Sequence, residues 1–191
     1  AYPSVATYWL PGIIRDFQKD YPHVEIQIIE GGSDTIEEIM ANRQAELCLY
    51  AGGEGKGFEW LPLRRDRPLA PVPPDHPLSR ARPLPLEALL NEEFIMPMPG
   101  YDGEVRFILD KLPRWPHILF SACSDYAIIN MVAEGLGVSI LPDLQLENYS
   151  HRAVALPMEP PQERMLGLGV PQMKTASPVT QNFIQYVKRY V

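Results

Sequence analysis

An α/β fold built on largely parallel strands is what this sequence predicts, and three observations carry the prediction. Segments with the two-residue alternation of a strand take turns along the chain with segments of helical periodicity. Few hairpin signals lie between them. Turns at 3–7, 31–35 and 121–126 each contain Ser or Gly, and each opens a helix. In parallel sheets such turns lie beyond the carboxyl ends of strands, where ligands bind.

The elements follow in order. Leu10, Ile13, Ile14, Phe17 and Tyr21 fall on one face of a helix from about Tyr8 to Tyr21, with Thr7 as N-cap. Pro11 then sits in the first turn, where its missing N–H has no intrahelical partner. Pro22 ends the helix. "HVEIQIIE" alternates Val24, Ile26 and Ile28 with Glu25 and Gln27 and predicts a strand. "EGGSDTIEEIMANRQ" is a glycine turn and a second helix, capped by Ser33 or Asp34, with Asp34 and Glu37 resembling a capping box. "AELCLYA" is a buried strand, and residues 60–78 are extended segments with turns.

"PLEALLN" is a short helix and "EFIMPM" a short strand. "PGYDGEVRFILDKL" is a turn and a helix with Val105, Ile108, Leu109 and Leu112 on one face. "HILFSA" is a strand. "SDYAIINMVAEGLG" is a helix with Ile128, Met131 and Val132 inward, closed by Gly135 or Gly137. "VSILP" and "RMLGLGV" are strands. The last helix has Ser177 as cap, Pro178 at its first position and a stripe of Val179, Phe183, Ile184 and Val187.

The gross numbers exclude several classes. The 191 residues suffice for one large domain or two small lobes. The net charge is −7, and no run of Lys or Arg exceeds two, so these residues carry no basic face for nucleic acid. No apolar run approaches the roughly 18 residues of a membrane span. Cys48 and Cys123 stand in apolar surroundings and read as two buried thiols of a reducing cytoplasm, with a disulfide as the alternative.

Catalytic and metal chemistry find little support. His23, His76, His117 and His151 lack metal spacing, and no zinc motif occurs. "GGEGKG" (Gly52–Gly57) has the wrong spacing for a phosphate loop and lacks the following Ser or Thr, so it reads as a flexible loop. Ser4, Ser121 and Ser124 have no His neighbour to act as base. No cofactor, metal or catalytic residue is expected.

What remains is a small-ligand site. The first helix start carries Ser4 and Thr7 but no Asp or Glu, which leaves its positive end open. The Ser4 hydroxyl and the N–H groups of residues 5–7 would face the ligand, flanked by Ser33 and Thr35, with Ser124 and Asp125 from the third turn. A helix-cap role for each of these residues is the competing reading.

The stretch "PSVATYWLPGIIRDFQKDYPHVEIQIIEGGSDTIEEIMANRQAELCLY" resembles the opening of the effector-binding domain of LysR-type transcriptional regulators. "LAPVPPDHPL" is similar to that family's crossover segment, and "MVAEGLGVSILPD" to its Gly-x-Gly and Leu-Pro signature. The resemblance implies two Rossmann-like α/β lobes joined by a two-stranded hinge, as in type II periplasmic binding proteins. The first lobe would be 1–69 with 162–191, and the second 70–161. A small effector would bind between them, at Ser4, Val5, Thr7, Gly32, Ser33 and Thr35 of the first lobe and Met98, Gly100, Tyr101, Ser124 and Asp125 of the second.

It further implies a cytoplasmic, non-enzymatic regulator that forms an antiparallel homodimer or a tetramer. Helix 8–21 and strand 24–30 of one subunit would meet helix 125–134 and strand 117–122 of the other. DNA would be reached only through a winged helix-turn-helix that is absent from this chain. Most of the first strand is also absent, with Ala1 and Tyr2 remaining before the loop. No Arg or Lys lies in the first two turns, so a cationic or zwitterionic effector stays open beside an anionic one. An extracytoplasmic solute-binding protein and an enzyme on a related bilobal fold are the competing functions.

Overall fold

Pro3 opens the first helix of the computed structural model, which describes residues 1–54, 56–149 and 151–191. Gly55, within the "GGEGKG" loop, and Ser150 lie outside the described residues. Contacts divide the chain into two units, Ala1–Arg65 with Met165–Val191, and Asp66–Arg164.

The first unit opens with α1 (Pro3–Tyr8) and α2 (Leu10–Asp20) rather than one helix from Tyr8. Thr7 is therefore inside α1 and caps nothing. The break falls at Trp9 because Pro11 has no N–H for the Thr7 carbonyl four residues back, and its ring crowds that carbonyl. Phe17 and Ile13 are buried, and Phe17 meets Phe183 of α7 (Pro178–Tyr190) edge-to-face at 5.1 Å. The Ser177 hydroxyl accepts from the Thr180 N–H at 3.1 Å, so the expected cap of α7 is present. Thr180, Phe183, Ile184 and Val187 are its buried residues, whereas Val179 is exposed.

Helix α3 (Ser33–Ala41) starts one residue earlier than a Ser33 cap requires. Gly32 is the N-cap, and neither Ser33 nor Asp34 makes a side-chain cap. Strands β1 (Cys48–Ala51), β2 (Glu59–Asp66) and β10 (Arg164–Val170) form a sheet in the order β1-β10-β2. Cys48 pairs with Gly169 and Ala51 with Leu166, antiparallel. Residues 24–30 form no strand, contrary to their alternation. Their ladder is confined to one end, where the Ala1 N–H donates to the Ile29 carbonyl and the Gly31 N–H to the Ala1 carbonyl.

The second unit holds β3 (Pro68–Val72), β4 (Leu84–Pro85), β5 (Glu93–Pro97), α4 (Gly103–Leu109), β6 (His117–Ala122), α5 (Asp125–Ala133), β7 (Leu141–Pro142), α6 (Asp143–Leu146), β8 (Val154–Leu156) and β9 (Met158–Glu159). β5–β6 and β4–β9 are parallel, while β3 pairs antiparallel with both β7 and β8. The sheets are thus mixed, not largely parallel. Antiparallel partners arise where the chain returns, as β10 does to β1.

"PLEALLN" forms a 3₁₀ turn, Leu86–Asn91, and "VSILP" keeps only Leu141–Pro142 as strand. Val138 nevertheless continues the β5 ladder, exchanging N–H bonds with Glu93 and Ile95 at 2.9 Å each. Val105, Ile108, Leu109 and Leu112 are buried as expected, in a core with Phe94, Met96 and Ile140. A second cluster gathers Ile95, Ile128, Ile129 and Val132, so Ile129 takes the inward place expected of Met131. Gly135 follows α5 at φ 76°, where its missing Cβ avoids strain. Cys48 is buried, but Cys123 is exposed on the turn after β6, and both thiols are free.

Candidate functional site

The residues expected to meet a ligand gather at helix openings in each unit. In the first unit, Ser4 and Val5 are buried in the first turn of α1, and Thr7 is half-buried one turn on. The phenol of Tyr2 ties this opening to the start of α3 through the Ser33 hydroxyl, and reaches the Ala51 carbonyl at 3.4 Å. Gly32 is buried, and Thr35 is exposed with its side chain lying over Gly31. A Cβ on Gly31 would lie 2.9 Å from the Thr35 Cβ. The turn is therefore tight because the glycine permits the approach.

Two charged groups border this opening. Glu37 of α3 pairs with Lys56 at 3.0 Å. The buried Tyr50 lies edge-on to Tyr2 at 5.9 Å, and burial, then the Glu37 carboxylate, pushes its phenol up. Burial likewise holds the Cys48 thiol up at about 12, which makes it an inert core group rather than a nucleophile.

In the second unit the 97–101 and 121–126 turns come together. The Met98 N–H donates to the Ala122 carbonyl at 3.0 Å, and the Cys123 thiol lies 3.2 Å from the Met98 sulfur. Gly100 has φ 93°, which lets Tyr101 bond back to Met98 at 3.0 Å. Met98 and Tyr101 are exposed large side chains. Ser124 is the N-cap residue of α5 without a side-chain cap, and Asp125 follows in its first turn.

The charge beside Asp125 was not legible in the sequence. Arg164, at the start of β10, is buried and pairs with Asp66 at 2.6 Å and Glu104 at 2.9 Å. Asp66 also accepts the N–H groups of Arg67 at 3.0 Å and Leu144 at 3.3 Å. The second Glu104 oxygen is buried with no hydrogen-bond partner among the described residues. Burial pushes the Asp125 carboxyl up to about 6, with Arg164 opposing the shift and Glu104 adding to it. The one available signal was a lone Arg opening the otherwise apolar "RMLGLGV".

These groups can bind polar or charged matter, but no side chain among them forms a nucleophile–base pair. Among the described residues, no group of three or more His, Cys, Asp or Glu is placed to hold a metal ion. No helix of the described residues is long and apolar enough to cross a membrane.

Comparison with known proteins gives a consistent picture. A family profile described as the LysR substrate binding domain matches residues 1–191. The HTH-type transcriptional regulator YybE of Bacillus subtilis is 30% identical over 189 residues, covering 96% of this chain and 64% of the relative. The transcriptional dual regulator GltC of the same organism is 28% identical over 194 residues, covering 98% of this chain and 64% of GltC. The chain thus spans about two thirds of the length of these relatives. Among solved structures, the Synechocystis CcmR regulatory domain in complex with 2-PG superposes with a TM-score of 0.90 at 21% identity, covering 98% of this chain and 93% of that one. The effector binding domain of QuiR in complex with shikimate gives 0.82 at 21% identity, with 99% and 93% covered. At that identity the two structures speak for the fold, which is that of LysR effector-binding domains.

Proposed function

The chain belongs to the LysR substrate binding domain family, and on that premise we propose that it senses a small molecule on behalf of a LysR-type transcriptional regulator. The profile match over the whole chain carries this reading. Relatives of the HTH-type regulator class support it over an extracytoplasmic solute-binding protein. The domain acts by binding, not by turnover. It works in the cytoplasm as an antiparallel homodimer or within a tetramer, and DNA is reached through a helix-turn-helix outside these residues.

In this reading the effector meets Ser4, Val5, Thr7, Gly32, Ser33 and Thr35 from the first unit and Met98, Gly100, Tyr101, Ser124 and Asp125 from the second. Hydroxyls and helix N–H groups suit a carboxylate or phosphate group. Asp125 suits a cationic group, whereas Glu104 and Asp102 already pair with Arg164 and Arg106, so a zwitterion satisfies both ends only through Asp125. Binding shifts the regulator only if the effector favours one arrangement over another.

A thermal-shift screen of small anionic, cationic and zwitterionic metabolites tests the proposal, because a ligand at 100 times its Kd stabilises by about 2.7 kcal/mol. A hit is expected, and Ser4→Ala should weaken it while the unliganded midpoint holds. An unliganded loss above about 1 kcal/mol with unchanged affinity would make Ser4 a structural residue alone.

A further inference from the structure

Two sulfur atoms meet at the carboxyl end of the parallel pair β5–β6. The ladder runs through Met96 and Ser121 to Pro97 and Ala122. One step further both strands have ended, and there the Cys123 thiol donates to the Met98 thioether at 3.2 Å. The main chain fixes this meeting. The Met98 N–H donates to the Ala122 carbonyl, and the Met98 carbonyl accepts from the Tyr101 N–H, each at 3.0 Å. Both backbone groups of Met98 are tied, so only its side chain is left to move.

Neither packing nor hydrogen bonding accounts for the pair. Cys and Met are residues of protein interiors. Here Cys123 is exposed and Met98 is 40% exposed. A thiol is a weak donor and a thioether a weak acceptor, so their bond contributes little on an open turn. What two adjacent sulfurs do well is share a soft, polarizable cation. The existing bond already turns a Met98 lone pair toward the Cys123 sulfur. A cation that takes the place of the thiol proton is therefore met by both atoms. Cys48 is no competitor, because it is buried and burial holds its thiol up at about 12.

We propose that Cys123 and Met98 form a two-coordinate site for a soft monovalent metal ion of the Cu(I) class. Thiolate and thioether ligands select such ions. Two donors are too few for Zn(II), which takes four. Among the described residues, no group of three or more His, Cys, Asp or Glu builds a harder site that would compete. With metal–sulfur bonds of about 2.3 Å, linear coordination sets the two sulfurs about 4.6 Å apart. They must then part by about 1.4 Å from the 3.2 Å of the empty pair. Met98 supplies that movement, since its side chain has three rotatable bonds and reaches solvent. On binding, the S–H bond of Cys123 breaks and a metal–sulfur bond forms. The proton passes to water, and no electron is transferred. The site rests on the sulfur pair and its backbone frame and stands without the effector reading.

The test titrates the 191-residue chain with Cu(I) under nitrogen, in competition with a chromophoric chelator of known affinity. One ion per chain is expected, with one proton released. X-ray absorption should find two sulfur neighbours at about 2.3 Å. Met98→Leu keeps the size of the side chain and removes its sulfur, and it should weaken binding at least about tenfold. Cys123→Ser should weaken it at least about a hundredfold. Both positions are exposed, so both variants fold. Unchanged affinity in Met98→Leu would reduce the site to a single thiol and overturn the proposal. Unchanged affinity in Cys123→Ser would place the ion elsewhere and overturn it equally. So would half an ion per chain, since the metal would then bridge the thiols of two copies.

Discussion

Arg164→Gln is the substitution with the largest consequence outside the apolar cores. Arg164 is the partner of Asp66 and Glu104 and opposes the raised pKa of Asp125. Removing one member of a buried ion pair costs about 3–5 kcal/mol, because the other is left charged and unpaired. Asp66 keeps the N–H groups of Arg67 and Leu144, which softens its share of the loss. Glu104 keeps nothing comparable, since its other oxygen already lacks a partner among the described residues. The low end, about 3 kcal/mol, is therefore expected at pH 7.5. With a urea slope of about 2 kcal/mol per M, the unfolding midpoint falls by about 1.5 M. Trp115 fluorescence reports on this unit in urea titrations. A loss below about 1 kcal/mol would refute the view that Arg164 compensates the charge of these two carboxylates.

Asp125→Asn tests the same cluster from the other side. The folded pKa of Asp125 is raised from 3.8 to about 6, so the fold favours the neutral acid. Its stabilisation is complete below about pH 4 and is lost as pH rises through 6, for a change of about 3 kcal/mol. The Asn variant should lack that pH-dependent component in urea titrations at pH 4 and pH 7.5, and an unchanged profile would assign the dependence elsewhere. Gly137→Ala should cost more than 2 kcal/mol, because a Cβ would sit 2.5 Å from the Glu93 carbonyl at φ 155°. A thermal midpoint within a degree of the parent would contradict that clash. Ser177→Ala should cost about 1 kcal/mol by removing the cap bond to Thr180. Scanning calorimetry reads it, and Ser177→Gly should recover most of the loss.

How much was legible depended on which physical signal each element carried. Helix α7 and strands β6 and β10 declared themselves because local signals and tertiary packing agree there: a Ser–Pro start, the apolar run Ile118–Phe120, a glycine-spaced strand. The 24–30 segment carries a strand's alternation, yet a ladder needs a neighbour, and periodicity says nothing of whether one is present. The break at Trp9 was misread because Pro11 has no N–H to give the Thr7 carbonyl, whether the helix starts at a Thr7 cap or at Pro3. Cys123 looked buried because its sequence neighbours are apolar, but it follows the last residue of β6, where the chain leaves the sheet. For the candidate site, the helix openings were visible as Ser- and Gly-bearing turns. The Arg164–Asp66–Glu104 cluster was not, since it joins residues up to 98 positions apart.

The sheet order β1-β10-β2 has a consequence for how the chain matures as it is made. The middle strand of that sheet is the last one synthesised, and α7, which covers Phe17, follows it. The second unit is continuous from Asp66 to Arg164 and can close upon itself while the ribosome is still at work. The first 65 residues must wait meanwhile, with β1 and β2 both lacking the strand that joins them. At synthesis rates of about 5–20 residues per second, that interval lasts several seconds. Of the two units, the one whose translation starts earlier is thus completed later, and it presents bare strand edges throughout the delay.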